Sequence, residues 1–183
     1  MLYERTCKLG GVNAAKGLAN KLVAYPDWKD MVSMLGLADS DLSVRDVSLC
    51  FLWSRMRVVD EQDPKGRLRL MHLSFEDWLE ALCRVATLKS LPTDEEIAEA
   101  EAPNAGVYMK ELAEEEPAAY DQLMKSRAIA FGATPLQPIW RCIEHLIQII
   151  IVHVQGDSRE RGAPLVLTDR QVNAALQVPS GTD

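Results

Sequence analysis

Apolar residues recur at helical spacing along nearly the whole chain, and Pro, Gly and capping residues punctuate them. The spacing predicts short amphipathic helices over Asn13–Ala24 and Asp27–Leu37, separated by Tyr25-Pro26, with Gly36 as the stop of the second. Ser43 then opens a long predicted helix to about Asp60. Its apolar residues fall in two rows, Val44, Val47, Phe51, Val58 and Leu49, Leu52, Trp53, Met56, so the expected buried face is wide enough to meet more than one neighbour. Glu61 to Arg67 reads as a loop, because Pro64 and Gly66 interrupt the periodicity.

A second capped helix is predicted from Phe75 to about Leu88. Leu91-Pro-Thr93 ends it and starts an acidic piece, Asp94–Ala102, through a Thr93–Glu96 capping box. Pro103-Asn104 breaks that piece, Val107–Glu116 resumes, and Pro117, suited to a first helical turn, starts a helix to Phe131. Residues 132–138 form a linker. Pro138 opens a helix to Val154 that is apolar almost all round, Gly156 to Pro164 is a polar loop, and Thr168 caps a last helix, Asp169–Gln177. The expected fold is all-α, organised as a helical unit over 1–92, an acidic connector over 93–134, and an apolar helix with a C-terminal helix over 135–183 that packs on the same domain or on a partner.

Composition agrees with a folded chain. Of 183 residues, 48% are hydrophobic and 26% charged, enough apolar material for a substantial core. The net charge of −7 argues against nucleic acid, whose phosphates demand clustered Lys and Arg. That charge is concentrated: residues 94–121 hold ten acids against Lys110 alone, −9 in total, and the remainder sums to +2. Cys7, Cys50, Cys83 and Cys142 are widely spaced and read as reduced core residues of an intracellular protein. The N-terminal sequence lacks the apolar run of a secretory signal, and Ile139–Val154, interrupted by Arg141, Glu144, His145 and Gln148, is too short to span a bilayer. The expected location is cytoplasmic, without membrane contact.

One short pattern occurs twice. Leu42, Ser43, Val44, Asp46 and Val47 align with Leu73, Ser74, Phe75, Asp77 and Trp78. Each stretch has a Ser with an acid three residues on, as a helix start requires. The second stretch also matches the latter half of an EF-hand: an apolar residue at loop position 8 for a tiny β-bridge, an aromatic, an acid at position 12, and a large apolar residue opening the exiting helix. Two such units pair through their bridges.

The calcium chemistry fails on both copies. A calcium loop places oxygen ligands at positions 1, 3 and 5, Gly at 6 and a bidentate Glu at 12. Counting back from Leu73 finds Gly66, Leu68, Leu70 and Met71, with the shorter Asp77 at the end; counting back from Leu42 finds Leu35, Leu37 and Asp39. Asp60, Asp63 and Asp77 remain as weak calcium candidates in an overlong loop.

Asp41-Leu-Ser-Val-Arg-Asp-Val, Phe51–Glu61 and Leu73–Ala86, within residues 25–97, resemble degenerate EF-hand-like domains in proteins of cilia and flagella of the protist axonemal type. The resemblance implies a structural or scaffolding role in an axoneme or associated cytoskeleton, with protein partners, calcium binding lost and no catalytic residues. A calcium-responsive regulatory module is the alternative. Trp53, Met56, Phe75, Trp78 and Leu82 are the expected core. Lys65, Arg67 and Arg69 are candidates for meeting an acidic partner such as tubulin, and Trp140, Ile147 and Ile151 for an apolar one. Cys142, His145 and His153 share one helix but lack a fourth ligand, so the core reading is preferred. No cofactor is expected, and no Ser-His-Asp set or phosphate loop supports an enzyme.

Overall fold

Ser43, Ser74, Thr93 and Thr168 each stand one residue before a helix with Asp, Glu or Gln three positions on, and all four capping boxes close. In each, the hydroxyl accepts the backbone N–H of the third helical residue, whose side chain accepts the N–H of the cap. The computed structural model describes residues 2–9, 22–55, 60, 62–156 and 163–177. Its elements are α1 (Leu2–Thr6), β1 (Val23–Ala24), α2 (Tyr25–Met34), α3 (Val44–Ser54), α4 (Pro64–Met71), β2 (His72–Leu73), α5 (Phe75–Leu88), α6 (Asp94–Glu99), α7 (Ala105–Glu115), α8 (Pro117–Ser126), α9 (Ile139–Gln155) and α10 (Asp169–Ala175). The fold is all-α with a two-strand antiparallel bridge pairing Val23 with Leu73 and Ala24 with His72.

Several elements differ from the periodicity reading. Of the segment Asn13–Ala24, residues 13–21 lie outside the described residues, and Val23–Ala24 form a strand. α2 begins at Tyr25 and takes Pro26 into its first turn, where no N–H is needed. It ends as expected at Gly36 (φ +65°): Leu37 N–H donates to Val32 O and Gly36 N–H to Ser33 O, the paired bonds that close a left-handed helix stop. α3 ends at Ser54, because Arg55 turns extended and its Nη1 donates to Leu70 O at 2.7 Å. Glu61–Arg67 is not all loop. Asp63 accepts Gly66 N–H at 2.8 Å and Pro64 occupies the first turn, so α4 starts inside it. α8 stops at Ser126, short of Phe131, where Arg127 leaves the helix to donate to Leu91 O and pair with Glu96.

α9 is the central helix. Its Cys142, Leu146, Ile150 and Val154 join one core with Trp28, Met31 and Leu35 of the α2 region, Val47 and Phe51 of α3, Ala81 and Val85 of α5, and Val172 and Leu176 at α10. Residues before 92 and after 135 thus share a single core. Each fully buried large side chain there contributes about 1.5–3 kcal/mol. A smaller cluster, Met109, Leu123 and Met124, joins α7 to α8.

The expected core needs correction at Trp53 and Phe75. α3 buries only the narrow row Val47, Cys50, Phe51 and Ser54, which leaves Val44, Leu52 and Trp53 outside, Trp53 at 65% exposed. Phe75, at the first position of α5, is half exposed against Tyr3. Trp78 is buried, Leu82 packs on the core edge, and Met56 and Val58 lie outside the described residues.

Polar contacts tie the layers together. Lys89 Nζ donates to Asp41 Oδ1 at 2.7 Å, Ser90 N–H to Asp41 Oδ2 at 2.7 Å, and Ser90 Oγ to Met124 O at 3.1 Å. The turn before α3, the end of α5 and α8 are fastened by this chain of bonds.

Candidate functional site

The bridge brings out a second repeat, distinct from the one at 31-residue spacing. Val23-Ala-Tyr-Pro-Asp-Trp28 and Leu73-Ser-Phe-Glu-Asp-Trp78 lie fifty positions apart, and each is a strand residue, an aromatic helix start, a buried Asp and a buried Trp. Leu73 therefore pairs with Val23 rather than with a strand at Leu42, which is a buried turn residue. The signal, aromatic-x-Asp-Trp twice, is present in the sequence; Pro26, which reads as a separator, conceals it.

The aromatic at each helix start packs edge-on against a ring of another helix. Tyr25 at the start of α2 meets Phe51 of α3 edge-on at 5.3 Å, and Phe75 at the start of α5 meets Tyr3 of α1 edge-on at 5.2 Å. Trp28 Nε1 donates to Val47 O of α3 at 3.0 Å. Trp78 Nε1 has no partner among the described residues.

The calcium candidates have other occupations. Asp77 is buried and closes the capping box, accepting Ser74 N–H at 3.0 Å. Asp63 caps α4, and Asp60 Oδ1 accepts Gln62 N–H at 2.8 Å. Counted back from Leu73, positions 1, 3, 5 and 6 fall within α4, whose helical backbone cannot wrap an ion. Among the described residues no group of three or more His, Cys, Asp and Glu side chains is placed to hold a metal. Cys142 donates weakly to Gln137 O, His145 lies between Pro92 O at 3.1 Å and Asp94 Oδ1 at 3.2 Å, and His153 donates to Met34 O at 3.0 Å. Three different anchors separate the three residues.

Lys65, Arg67 and Arg69 are all exposed, on a helix rather than a loop, and α4 buries none of its residues. Pro64, Leu68 and Met71 share one side of α4 and, with Arg67 and His72, line a shallow cavity of about 340 Å3. On α9 the candidate stripe is partly open: Trp140 is 65% and Ile147 47% exposed, and Ile151 is half-buried. Arg141 lies over the Trp140 ring at 5.5 Å and pairs with Asp94 and Glu144.

Burial pushes the Cys50 thiol up to about 12, and it raises Cys7, Cys83 and Cys142 as well, so all four are protonated at neutral pH. The Arg141 hydrogen bond holds the Asp94 carboxyl below its ordinary range. Burial alone would raise Glu96, but Arg127 and the Thr93 N–H outweigh it and hold that carboxyl low. Asp94 and Glu96 thus belong to ion pairs that staple α6 to α9 and to the end of α8. No helix among the described residues is long and apolar enough to cross a membrane. No protein-family model, curated protein or solved structure matches the chain.

Proposed function

We propose that the chain is a non-catalytic binding module, a degenerate EF-hand-like pair that serves as a structural component of a ciliary or flagellar axoneme or an associated cytoskeletal assembly. The observation that carries the reading is the Val23–Leu73 bridge, which joins two strand–helix units with the same aromatic-x-Asp-Trp start. Asp77, at the position that would close a calcium loop, serves as a helix cap, and α4 occupies the space of the ligands before it. In such a pair the groove between the units takes an amphipathic helix. Here α9 supplies it from the same chain, so partners meet outer surfaces instead.

The outer surface with the clearest chemistry is α4, whose three cations project from a helix that packs little of itself against the core. An acidic protein surface such as that of tubulin complements it. Two measurements test the proposal. Isothermal titration of calcium into metal-stripped protein is expected to give no binding at millimolar calcium; saturable micromolar binding would replace the scaffold with a calcium-responsive module. Co-sedimentation with microtubules is expected for the native chain and lost on reversing Lys65, Arg67 and Arg69 to Glu. Equal sedimentation of both proteins, or of neither, would refute the tubulin contact.

A further inference from the structure

α4 carries three cations, Lys65, Arg67 and Arg69, and no acid. Around the helix Pro64, Leu68 and Met71 form one row, with Arg67 on one side of it and Lys65 and Arg69 on the other. The helix buries none of its residues, and Met71 is 58% exposed. An apolar strip between cations thus stands open to solvent.

A surface of opposite sign lies along α7. A groove of about 520 Å3 is lined there by Ala100, Tyr108, Glu111, Leu112, Glu115 and Glu116. Tyr108 and Leu112 make one row at i, i+4 and Glu111 and Glu115 the next, so an apolar floor runs beside a line of carboxylates. That floor is only half-buried, and Glu115 and Glu116 are exposed. The negative field reaches into the groove: burial raises the Tyr108 phenol, and Glu96, Glu116 and Glu99 raise it further, against the opposing effect of Arg127.

Each surface supplies the charge that the other requires, around an apolar centre of similar make. Neither covers the other within one chain, since both remain exposed, so every copy presents the two together. We infer that the chain associates with itself head to tail, α4 of one copy laying Leu68 and Met71 against Tyr108 and Leu112 of the next while Lys65, Arg67 and Arg69 meet Glu111, Glu115 and Glu116. The two faces differ, so the contact is heterologous and repeats from copy to copy in a ring or a filament. An eight-residue helix is about 12 Å long, too short to bury the roughly 800 Å2 per partner of a standard interface. The contact is therefore weak, reversible and sensitive to salt. It shares α4 with the tubulin contact but does not depend on it, because the groove on α7 takes no part in that contact.

Sedimentation velocity of the full chain makes the test. At about 0.1 M salt and up to about 0.1 mM protein, the weight-average mass should exceed the monomer's and rise with concentration. Raising the salt to about 1 M shortens the Debye length from about 10 Å to about 3 Å and should return the monomer. The variant Lys65→Glu/Arg67→Glu/Arg69→Glu is acidic on both faces, and Glu111→Lys/Glu115→Lys/Glu116→Lys is basic on both. Each alone should associate at least about tenfold more weakly, with unchanged circular dichroism. Mixed in equal amounts, the two restore opposite faces and should recover association. The milder Glu111→Gln/Glu115→Gln should weaken association by less than the full reversal, and Trp140→Ala, on the outer stripe of α9, should leave it intact. A native chain that stays monomeric, association that persists at high salt, or a mixture no more associated than its separate components would each overturn the inference.

Discussion

Replacing Lys89 by methionine tests how the turn at residues 39–41 is fastened to the end of α5. The Lys89 and Asp41 side chains are 3% and 0% exposed, and Nζ lies 2.7 Å from Oδ1. Methionine fills the aliphatic volume but leaves the Asp41 carboxyl buried with, among the described residues, the Ser90 N–H as its hydrogen-bond donor. Removing one member of such a pair costs about 3–5 kcal/mol, because the remaining charge keeps its desolvation penalty without its partner. At about 2–4 °C per kcal/mol for a chain of this size, Tm should fall by about 6–20 °C. Urea unfolding followed by tryptophan fluorescence measures the loss directly. The double variant Asp41→Asn/Lys89→Met removes both charges and keeps an oxygen for Ser90 N–H, so it should regain most of the stability. A loss below about 1 kcal/mol in the single variant would refute the reasoning, because a stranded buried charge cannot cost so little; so would a double variant no more stable than the single.

Gly106→Ala improves intrinsic helix propensity by about 1 kcal/mol, yet its Cβ would meet the Gln148 carbonyl at 2.4 Å. Net destabilisation of about 1–3 kcal/mol in urea unfolding is expected, and a gain would contradict the close approach of α7 and α9. Glu101 follows α6 with φ at 52°, in the left-handed region, with its N–H bonded to Ala98 O. Glu101→Val should therefore lower stability in the same assay, because a β-branched residue resists that region, and an unchanged midpoint would contradict the left-handed turn. Asp94 and Glu96 have folded-state carboxyls held below their ordinary values by Arg141 and Arg127. Their contribution is present above the ordinary carboxylate range and disappears as pH falls through the lowered folded values, so Tm should drop below about pH 4. Glu96→Gln should flatten that drop in a pH series of thermal melts; an unchanged slope would count against the pair.

How much of the structure is legible in the sequence depends on whether a feature is local. The boxes at Ser43, Ser74, Thr93 and Thr168, and the stop at Gly36, follow from hydrogen bonds within a few residues, and each forms as the residue types require. Asp63-Pro64 carries the same kind of signal, but Gly66 and three nearby cations give the stretch the composition of a loop. Trp53 is hard to place for a different reason. Two apolar rows on α3 are indistinguishable by periodicity, and only the positions of α2 and α5 decide that Val47, Cys50 and Phe51 turn inward. The close approach of α7 to α9 at Gly106 has no sequence signature at all, since it is set by the Gln148 carbonyl of another helix.

By itself the sequence determined an acidic, helical chain, most of its helix starts, and an apolar helix after Pro138 that had to be buried. Those properties rest on capping, propensity and the amount of apolar surface, all carried by neighbouring residues. Only the tertiary structure decided that Leu73 pairs with Val23, that α9 lies at the centre of the core, and that Asp41 and Lys89 meet across 48 positions. Each of these joins residues far apart along the chain, and which distant partner wins depends on how all the apolar faces pack at once.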